Sequence, residues 1–143
     1  MDAFAVGATL VLLVHYVLHQ EVHGGLEYNV KLLFSRNALI VNIVRTPYGR
    51  ILKLDSISTQ DDKLWSGVDV LIFNTWHWWV HTGRKQPWNF IQVGNETYKD
   101  MDRLVAYEKA LNTWATWVDS NVDSNKTKVF FQGVSPDHSK QFR

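Results

Sequence analysis

Cysteine is absent from this sequence of 143 residues, and proline is scarce, with three. Without cysteine the protein has neither a disulfide framework nor a thiolate metal site. Its formal net charge of +1 excludes the strongly basic surface typical of nucleic-acid-binding domains. Glycine-rich phosphate loops are missing as well, since neither G-x-G-x-x-G nor G-x-S-x-G occurs. What remains is the composition of an ordinary single globular domain with 45% hydrophobic residues.

The apolar N-terminal segment, residues 1–26, falls short of what a membrane span requires. A spanning helix needs about 20 apolar residues, and this run is interrupted by His15. Asp2 stands where a signal peptide would carry a cation. Three interpretations stay open: a weak membrane anchor, a buried helix, or a stretch attached by imperfect gene prediction.

Strand-forming runs after Gly25 predict a mixed α/β fold. Two of them lie around 30–34 and 39–44, and Pro47-Tyr48-Gly49 has the turn chemistry for a hairpin across 47–50. Residues 68–73 form a short apolar run, typical of a strand covered on both faces. A second such strand is predicted over 128–134.

A long amphipathic helix is predicted between those two apolar strands. Its apolar residues recur at spacings of three, four or seven: Met101, Leu104, Leu111, Ala115 and Val118. The predicted stripe is widened by Val105, Trp114 and Trp117. Thr97 with Asp100 fits a capping box, and Asp100 itself is the alternative N-cap. Two strands joined by one packed helix normally lie parallel, so residues 68–134 predict a βαβ unit.

Ligands of such sheets bind outside the carboxyl ends of the strands. One of those ends opens the aromatic segment, "FNTWHWWVHTGRK", residues 73–85. Asn74 follows the buried strand directly, so its amide is a candidate oxyanion donor, with the start of a turn as the alternative. The other end leads into "VSPDH", residues 134–138, where Asp137 or His138 is expected to line the same cleft.

Tryptophan dominates the aromatic segment, and flat rings suit the C–H faces of sugars. The candidate glycan platform consists of Trp76, Trp78, Trp79 and Trp88. We expect one or two of the four to serve core packing instead. If the segment stays extended, Trp76 and Trp78 point to one side and His77 and Trp79 to the other.

Charged and imidazole side chains give weaker signals. Arg84 and Lys85, with Arg36, offer cations for an anionic sugar, although such residues are more often solvated. His77 and His81 are four apart but lack the adjacent Glu of H-E-x-x-H, and His15, His19 and His23 repeat without a nearby acidic cluster. We therefore predict no metal site.

Two triplets fit the acceptor pattern for N-glycosylation. They are Asn95-Glu96-Thr97 and Asn125-Lys126-Thr127, both in polar contexts. Together they favour the secretory pathway, with Asn95 and Asn125 as the predicted glycosylated residues.

Several long stretches resemble the plant trichome birefringence-like family. They include "LLFSRNALIVNI", "WSGVDVLIFNTWHWW", "HTGRKQPWNFIQVGN" and "KTKVFFQGVSPDH". Members of that family carry a PC-esterase domain related to SGNH hydrolases. The resemblance covers residues 27–138 and implies an incomplete SGNH-hydrolase-like sandwich with a short parallel sheet, followed by a polar tail at 139–143.

The resemblance implies a function as well. It points to a Golgi membrane protein, with its domain in the lumen, that O-acetylates a cell-wall polysaccharide such as xylan, mannan or pectin. The partners would be that glycan and an acetyl donor, with no cofactor and no nucleic acid. By analogy with SGNH hydrolases, Asn74 would be the oxyanion donor, and Trp76, where many members have glycine, would narrow the pocket. The residues themselves, taken with this function, make Trp76, His77, Trp78, Trp79, Arg84 and His138 the predicted glycan contacts.

This sequence departs from the family at its catalytic motifs. It contains no Gly-Asp-Ser, the motif of the serine nucleophile, and none of its six His has an Asp three residues before it. We therefore expect a truncated member that is inactive alone. The alternatives are a non-catalytic glycan-binding module and an inactive gene fragment.

Overall fold

A computed structural model describes residues 11–17, 29–35, 37 and 39–133. The strands are β1 (Val11–Val17), β2 (Asn29–Ser35), β3 (Asn42–Thr46), β4 (Gly49–Lys53), β5 (Val70–Phe73), β6 (Phe90–Val93), β7 (Glu96–Tyr98) and β8 (Lys128–Phe131). The helices are α1 (Thr59–Trp65), α2 (Trp76–Trp79) and α3 (Arg103–Asn121), with a 3-10 turn at Gly83–Lys85. The predicted mixed α/β class is confirmed.

The first sheet has the strand order β2-β1-β5-β8. β5 and β8 are parallel, with Val70 opposite Lys128 and Phe73 opposite Phe131. The predicted parallel pairing is therefore confirmed, and α3 lies in the connection, which also contains α2 and the strands β6 and β7 of the second sheet. β1 runs antiparallel to both β2 and β5.

The second sheet has the order β3-β4-β6-β7. The predicted hairpin is confirmed, since Thr46 pairs with Gly49 across the Pro47-Tyr48 turn. β4 then pairs with β6 in parallel, and β6 turns back into β7. β6 and β7 were not predicted from the sequence, because they have only four and three residues and show no clear periodicity.

Two apolar cores pack against α3. The first contains Leu39, Val41, Leu52, Leu54, Trp79, Trp88, Ile91, Ala106 and Ala110. The second contains Ile40, Trp65, Val68, Leu71, Phe73 and Trp117. Trp65 meets Phe73 edge-to-face at 5.1 Å and Trp117 at 5.2 Å, a favoured aromatic geometry. One helix thus contributes to both cores.

The packing face of α3 agrees in part with the predicted stripe, since Leu111, Trp114 and Val118 pack against the second core. Ala106, Ala110 and Trp117 are its buried residues, whereas Leu104 is 65% exposed. Asp102 is the N-cap, because its carboxylate accepts from the backbone N–H groups of Leu104 at 3.0 Å and Val105 at 3.1 Å. The capping prediction at Thr97 or Asp100 is wrong.

Part of the apolar N-terminal segment is a strand, not a helix. Val11–Val17 forms β1 in the middle of the first sheet, paired on both sides. Among the residues described, no helix combines the length and apolar character needed to cross a bilayer. The predictions for Arg36, Asp137 and His138 lie outside the described residues.

Candidate functional site

Asn74 lies where the sequence analysis expected it, at the carboxyl end of β5. The backbone N–H of Gln132 donates to the carbonyl of Phe73 at 2.8 Å, which extends the parallel pairing one residue beyond β8. This bond fixes the main chain next to Asn74. Asn74 itself is half-buried. A half-buried amide at this edge of the sheet can donate to a negatively charged oxygen.

The segment after Asn74 is one helical turn, so the extended alternation of its side chains is wrong. In α2 the N–H of Trp78 donates to the carbonyl of Thr75 at 3.2 Å. The indole Nε1 of Trp79 donates to the hydroxyl of Thr75 at 3.0 Å. Helical spacing turns Trp76 and Trp79 toward the same neighbour, Tyr107. Their ring centroids lie 4.9 and 5.4 Å from the centroid of the Tyr107 ring.

Two of the four platform tryptophans pack in the core, as the sequence analysis allowed. Trp79 is 0% and Trp88 is 2% exposed, and their ring centroids are 5.8 Å apart. Their burial leaves no free ring face for a sugar. Trp76 and Trp78 are only partly buried, so these two indoles remain available.

Three rings form a cluster at the end of α2. Trp78 lies 5.8 Å from His77 and 5.1 Å from His81, and the two imidazole centroids are 5.2 Å apart. His77 is exposed and His81 half-buried. Across the part of the chain that the structure describes, no group of three or more His, Cys, Asp or Glu is arranged to hold a metal ion.

Arg84 lines a pocket whose other members come from separate segments. This cationic pocket has a volume of about 480 Å³ and is lined by Arg50, Gly83, Arg84, Gln86, Trp88, Asn89, Lys99 and Asp100. Arg50 belongs to β4, Arg84 to the 3-10 turn, and Lys99 follows β7. Sequence reasoning missed Arg50, Asn89 and Lys99, since nothing in their spacing brings them together.

Asp100, at the wall of this pocket, forms an ion pair with Arg103. The guanidinium contacts both carboxylate oxygens, at 2.5 and 3.2 Å, and donates to Gln86 Oε1 at 2.8 Å. It also lies over the Trp88 ring, 4.9 Å from the centroid. The hydrogen bond from Arg103 is the main reason that the pKa of Asp100 falls below its usual 3.8.

A larger groove of about 730 Å³ lies away from the aromatic segment. Its polar lining includes Ser35, Asn37, Arg45, Ser58 and Asp61. The Asp61 carboxylate accepts from Asn37 at 2.8 Å and from the Ser58 hydroxyl. The bond from Asn37 ties the segment after β2 to α1, and the bond from Ser58 lies at the N-cap of α1, so the carboxylate serves the packing of the groove wall.

The predicted glycosylation residues are both exposed. Asn95 lies in the turn between β6 and β7, and Asn125 in the turn before β8. Their exposure permits modification, and their glycosylation stays a prediction.

The sequence of this chain is similar to those of known plant proteins. The PC-esterase family, described as the GDSL/SGNH-like acyl-esterase family found in Pmr5 and Cas1p, matches residues 20–143. In Arabidopsis thaliana, the protein trichome birefringence-like 43 is 63% identical over 79% of this chain, and trichome birefringence-like 41 is 54% identical over 80%. The aligned part is 30% and 32% of their respective lengths, so the chain spans about a third of these relatives. This chain belongs to the PC-esterase family and, within it, to the trichome birefringence-like proteins.

Proposed function

We propose that this chain belongs to a domain that transfers acetyl groups to or from a cell-wall polysaccharide. The observation that carries the proposal is the arrangement at the end of β5. There a half-buried amide, Asn74, is followed directly by a turn that presents two partly exposed indoles, Trp76 and Trp78. In this proposal the two sheets and α3 form part of an SGNH-hydrolase-like sandwich.

Asn74 would act on the acyl group. When a nucleophile adds to an ester carbonyl, the oxygen gains negative charge, and a preorganised amide N–H stabilises it. The resulting serine acetyl-enzyme would be resolved by a sugar hydroxyl in a transferase or by water in an esterase. We propose the transferase, with xylan as the acceptor that the resemblance favours.

Glycan contacts would come from the exposed parts of the aromatic segment. Trp76 and Trp78 offer ring surface, His77 offers an exposed imidazole, and Arg84 offers an exposed cation. Trp79 is left out because it is fully buried. His138 stays a predicted contact outside the described residues.

The nucleophile and base are proposed to be missing from these 143 residues. The sequence contains neither Gly-Asp-Ser nor an Asp three residues before a His. Incubation of the chain with an acetyl donor and a xylo-oligosaccharide should therefore give no acetylated product in mass spectrometry. Sustained turnover would disprove this part of the proposal.

Glycan binding is tested separately from turnover. Titration with xylohexaose should give a saturable change in tryptophan fluorescence, which Trp78→Ala should weaken. Trp114→Phe, a change at a half-buried indole of the second core, is the matched control and should keep the response. Loss in both variants would indicate a general structural effect and would count against the platform.

A non-catalytic glycan-binding module is the second candidate. It is favoured by the same exposed indoles and would show binding without turnover. An inactive fragment is the third interpretation, and it is favoured by apolar side chains left open on the first sheet: Leu32 at 55%, Phe34 at 59% and Phe130 at 56% exposure. Aggregation on expression, with no glycan response, would favour it over both.

We further propose a location in the Golgi lumen. The proposed membrane association would have to use the part of residues 1–26 outside β1, because β1 is paired on both sides within the first sheet. Expression in plant cells followed by endoglycosidase treatment should shift the mass of the chain. Asn95→Gln with Asn125→Gln should abolish the shift. A protein without attached glycans would contradict the lumenal location.

A further inference from the structure

We infer that residues 80–85 form a gate loop, which covers part of Trp78 and has to open before a sugar can occupy that part of the indole. The inference rests on the proposed function, in which Trp78 belongs to the glycan surface. It adds a conformational step that controls access to this surface, and it assigns the closing contact to His81.

His81 lies directly against the Trp78 ring. The two ring centroids are 5.1 Å apart, and the rings are nearly perpendicular, at 87°. His81 also lies 5.2 Å from His77, the exposed residue before Trp78. Since His77 and Trp78 belong to α2 and His81 to the gate loop, these ring contacts fasten the loop to the turn. A sugar that reaches the covered part of the indole has to displace the imidazole.

The contact leaves two nitrogen atoms unsatisfied. Trp78 Nε1 and His81 Nδ1 are both buried, and neither has a hydrogen-bond partner among the residues that the structure describes. Buried polar atoms without a partner are rare and costly, because each has given up its hydrogen bond to water. Opening of the gate loop would return both nitrogen atoms to water or to the hydroxyl groups of a sugar. The closed contact therefore carries a cost that opening relieves.

The base on which the gate loop moves is fixed. Trp79, just before the loop, is 0% exposed and Trp88, just beyond it, is 2% exposed, and their ring centroids are 5.8 Å apart. Gln86 is held as well, since its carbonyl accepts from Arg50 at 3.4 Å and its Oε1 accepts from Arg103 at 2.8 Å. A short segment whose ends lie close together on a fixed base can move as a unit.

The gate loop itself is weakly attached. Residues 82–85 are all exposed, and their hydrogen bonds to other described residues stay within 82–86. These bonds run from the N–H of Lys85 to the carbonyl of Thr82 at 3.3 Å and from the N–H of Gln86 to the carbonyl of Gly83 at 3.2 Å. Gly83 has φ +59° and open space around it, so the backbone can pivot there. Exposed segments with few contacts open at low cost, as lids over binding sites do.

Calorimetric titration with xylohexaose tests the gate. The apparent affinity of the unmodified chain is reduced by the fraction of molecules in which the loop is closed. His81→Ala removes the closing contact and should tighten binding about three- to tenfold. His81→Phe keeps a ring against the indole and should bind more weakly than His81→Ala.

His77→Ala is the matched control. This imidazole also contacts Trp78, at 5.8 Å, but it belongs to α2 and not to the gate loop. Because His77 is itself a proposed glycan contact, its removal should weaken binding. Tighter binding in both alanine variants would overturn the assignment of the gate to the loop.

Trypsin cleavage after Arg84 and Lys85 reports loop opening without any sugar. Cleavage follows the population of the open state, so it should be faster in His81→Ala than in the unmodified chain. Saturating xylohexaose should also accelerate it in the unmodified chain, whereas a ligand that simply covered the loop would slow it. Cleavage after Lys63, an exposed residue of α1, should keep its rate if the variants remain folded.

The outcomes separate the gate from the proposed function. Equal or weaker xylohexaose binding in His81→Ala would overturn the gate and leave glycan binding standing, and so would a sugar that slows cleavage of the loop. Binding by His81→Ala with none by the unmodified chain would support a gate that is mostly closed. Absence of binding in both would overturn the gate together with the proposed glycan surface.

Discussion

The indole N–H of Trp79 donates a 3.0 Å hydrogen bond to the hydroxyl of Thr75, and both side chains are completely buried. Thr75 is the residue just before α2, and Trp79 is the last residue of that turn. One bond therefore closes the turn that follows Asn74 and anchors it in the first core. The position of the amide and of the two exposed indoles depends on this contact.

Thr75→Val should destabilise the protein. Valine keeps the shape but leaves the buried indole N–H without its acceptor, which costs about 1–3 kcal/mol in the free energy of unfolding. Urea unfolding monitored by tryptophan fluorescence measures the loss. Thr75→Ser keeps the hydroxyl and should lose less, and an unchanged midpoint for Thr75→Val would show that the bond does not stabilise the fold.

Gly49→Ala should be more harmful than Gly94→Ala. Gly49 has φ +129°, and an added Cβ would lie 2.9 Å from the side chain of Asn89, the residue that positions Arg50. Gly94 has φ +58° but open space around it, so its cost should be limited to about 1–2 kcal/mol for the left-handed backbone. The two urea midpoints give the comparison, and equal losses would mean that Asn89 moves aside freely.

Asp102→Ala should weaken the start of α3. Its carboxylate satisfies two backbone N–H groups, and the loss of an N-cap costs about 0.5–2 kcal/mol. Asp100→Ala is the comparison, because it removes a half-exposed ion pair with Arg103, typically worth about 0–1 kcal/mol, and one exposed bond from the backbone N–H of Met101. Thermal unfolding followed by circular dichroism should rank Asp102→Ala as the less stable variant. If Asp100→Ala were the less stable variant, Asp100 would be the N-cap of α3.

Acid should weaken the contact between Asp100 and Arg103. The folded pKa of Asp100 is lowered from 3.8, chiefly by the hydrogen bond from Arg103, so its contribution is complete above that value and disappears as the pH falls through the lowered pKa. Because the carboxylate is largely exposed to solvent, the effect should be small. Unfolding midpoints between about pH 5 and pH 2 should decline less for Asp100→Asn than for the unmodified chain. Glu108→Gln, an exposed carboxylate of α3, is the control and should leave the decline unchanged.

The larger elements could be predicted because their signals are local. The apolar run before Asn74, the Pro47-Tyr48-Gly49 turn and the periodicity of α3 depend on residues close together in the sequence. The parallel pairing of β5 and β8 could be predicted because the long helix α3 precedes β8 and packs on the sheet. The position of Asn74 at the end of β5 followed from the same reasoning.

The short elements could not be predicted in this way. β6 and β7 are strands because β4 offers a free edge to β6, which is a contact across more than thirty residues. α2 is a helical turn because this conformation lets the indole of Trp79 bond to the buried hydroxyl of Thr75. Its four residues, Trp-His-Trp-Trp, carry no periodicity that distinguishes a helix from a strand. Asp102 is the cap because its carboxylate reaches the N–H groups of Leu104 and Val105, so α3 begins later than a cap at Thr97 or Asp100 would place it.

The sequence by itself therefore determined the α/β class, the parallel pair of apolar strands, the family and the place where its aromatic segment begins. Only the tertiary structure decided which indoles are buried, and that Arg50, Arg84 and Lys99 face one pocket. The physical reason is range. Hydrophobic periodicity and turn chemistry act between near neighbours, whereas burial and convergence of charge depend on strands and loops that meet only when the two sheets have formed.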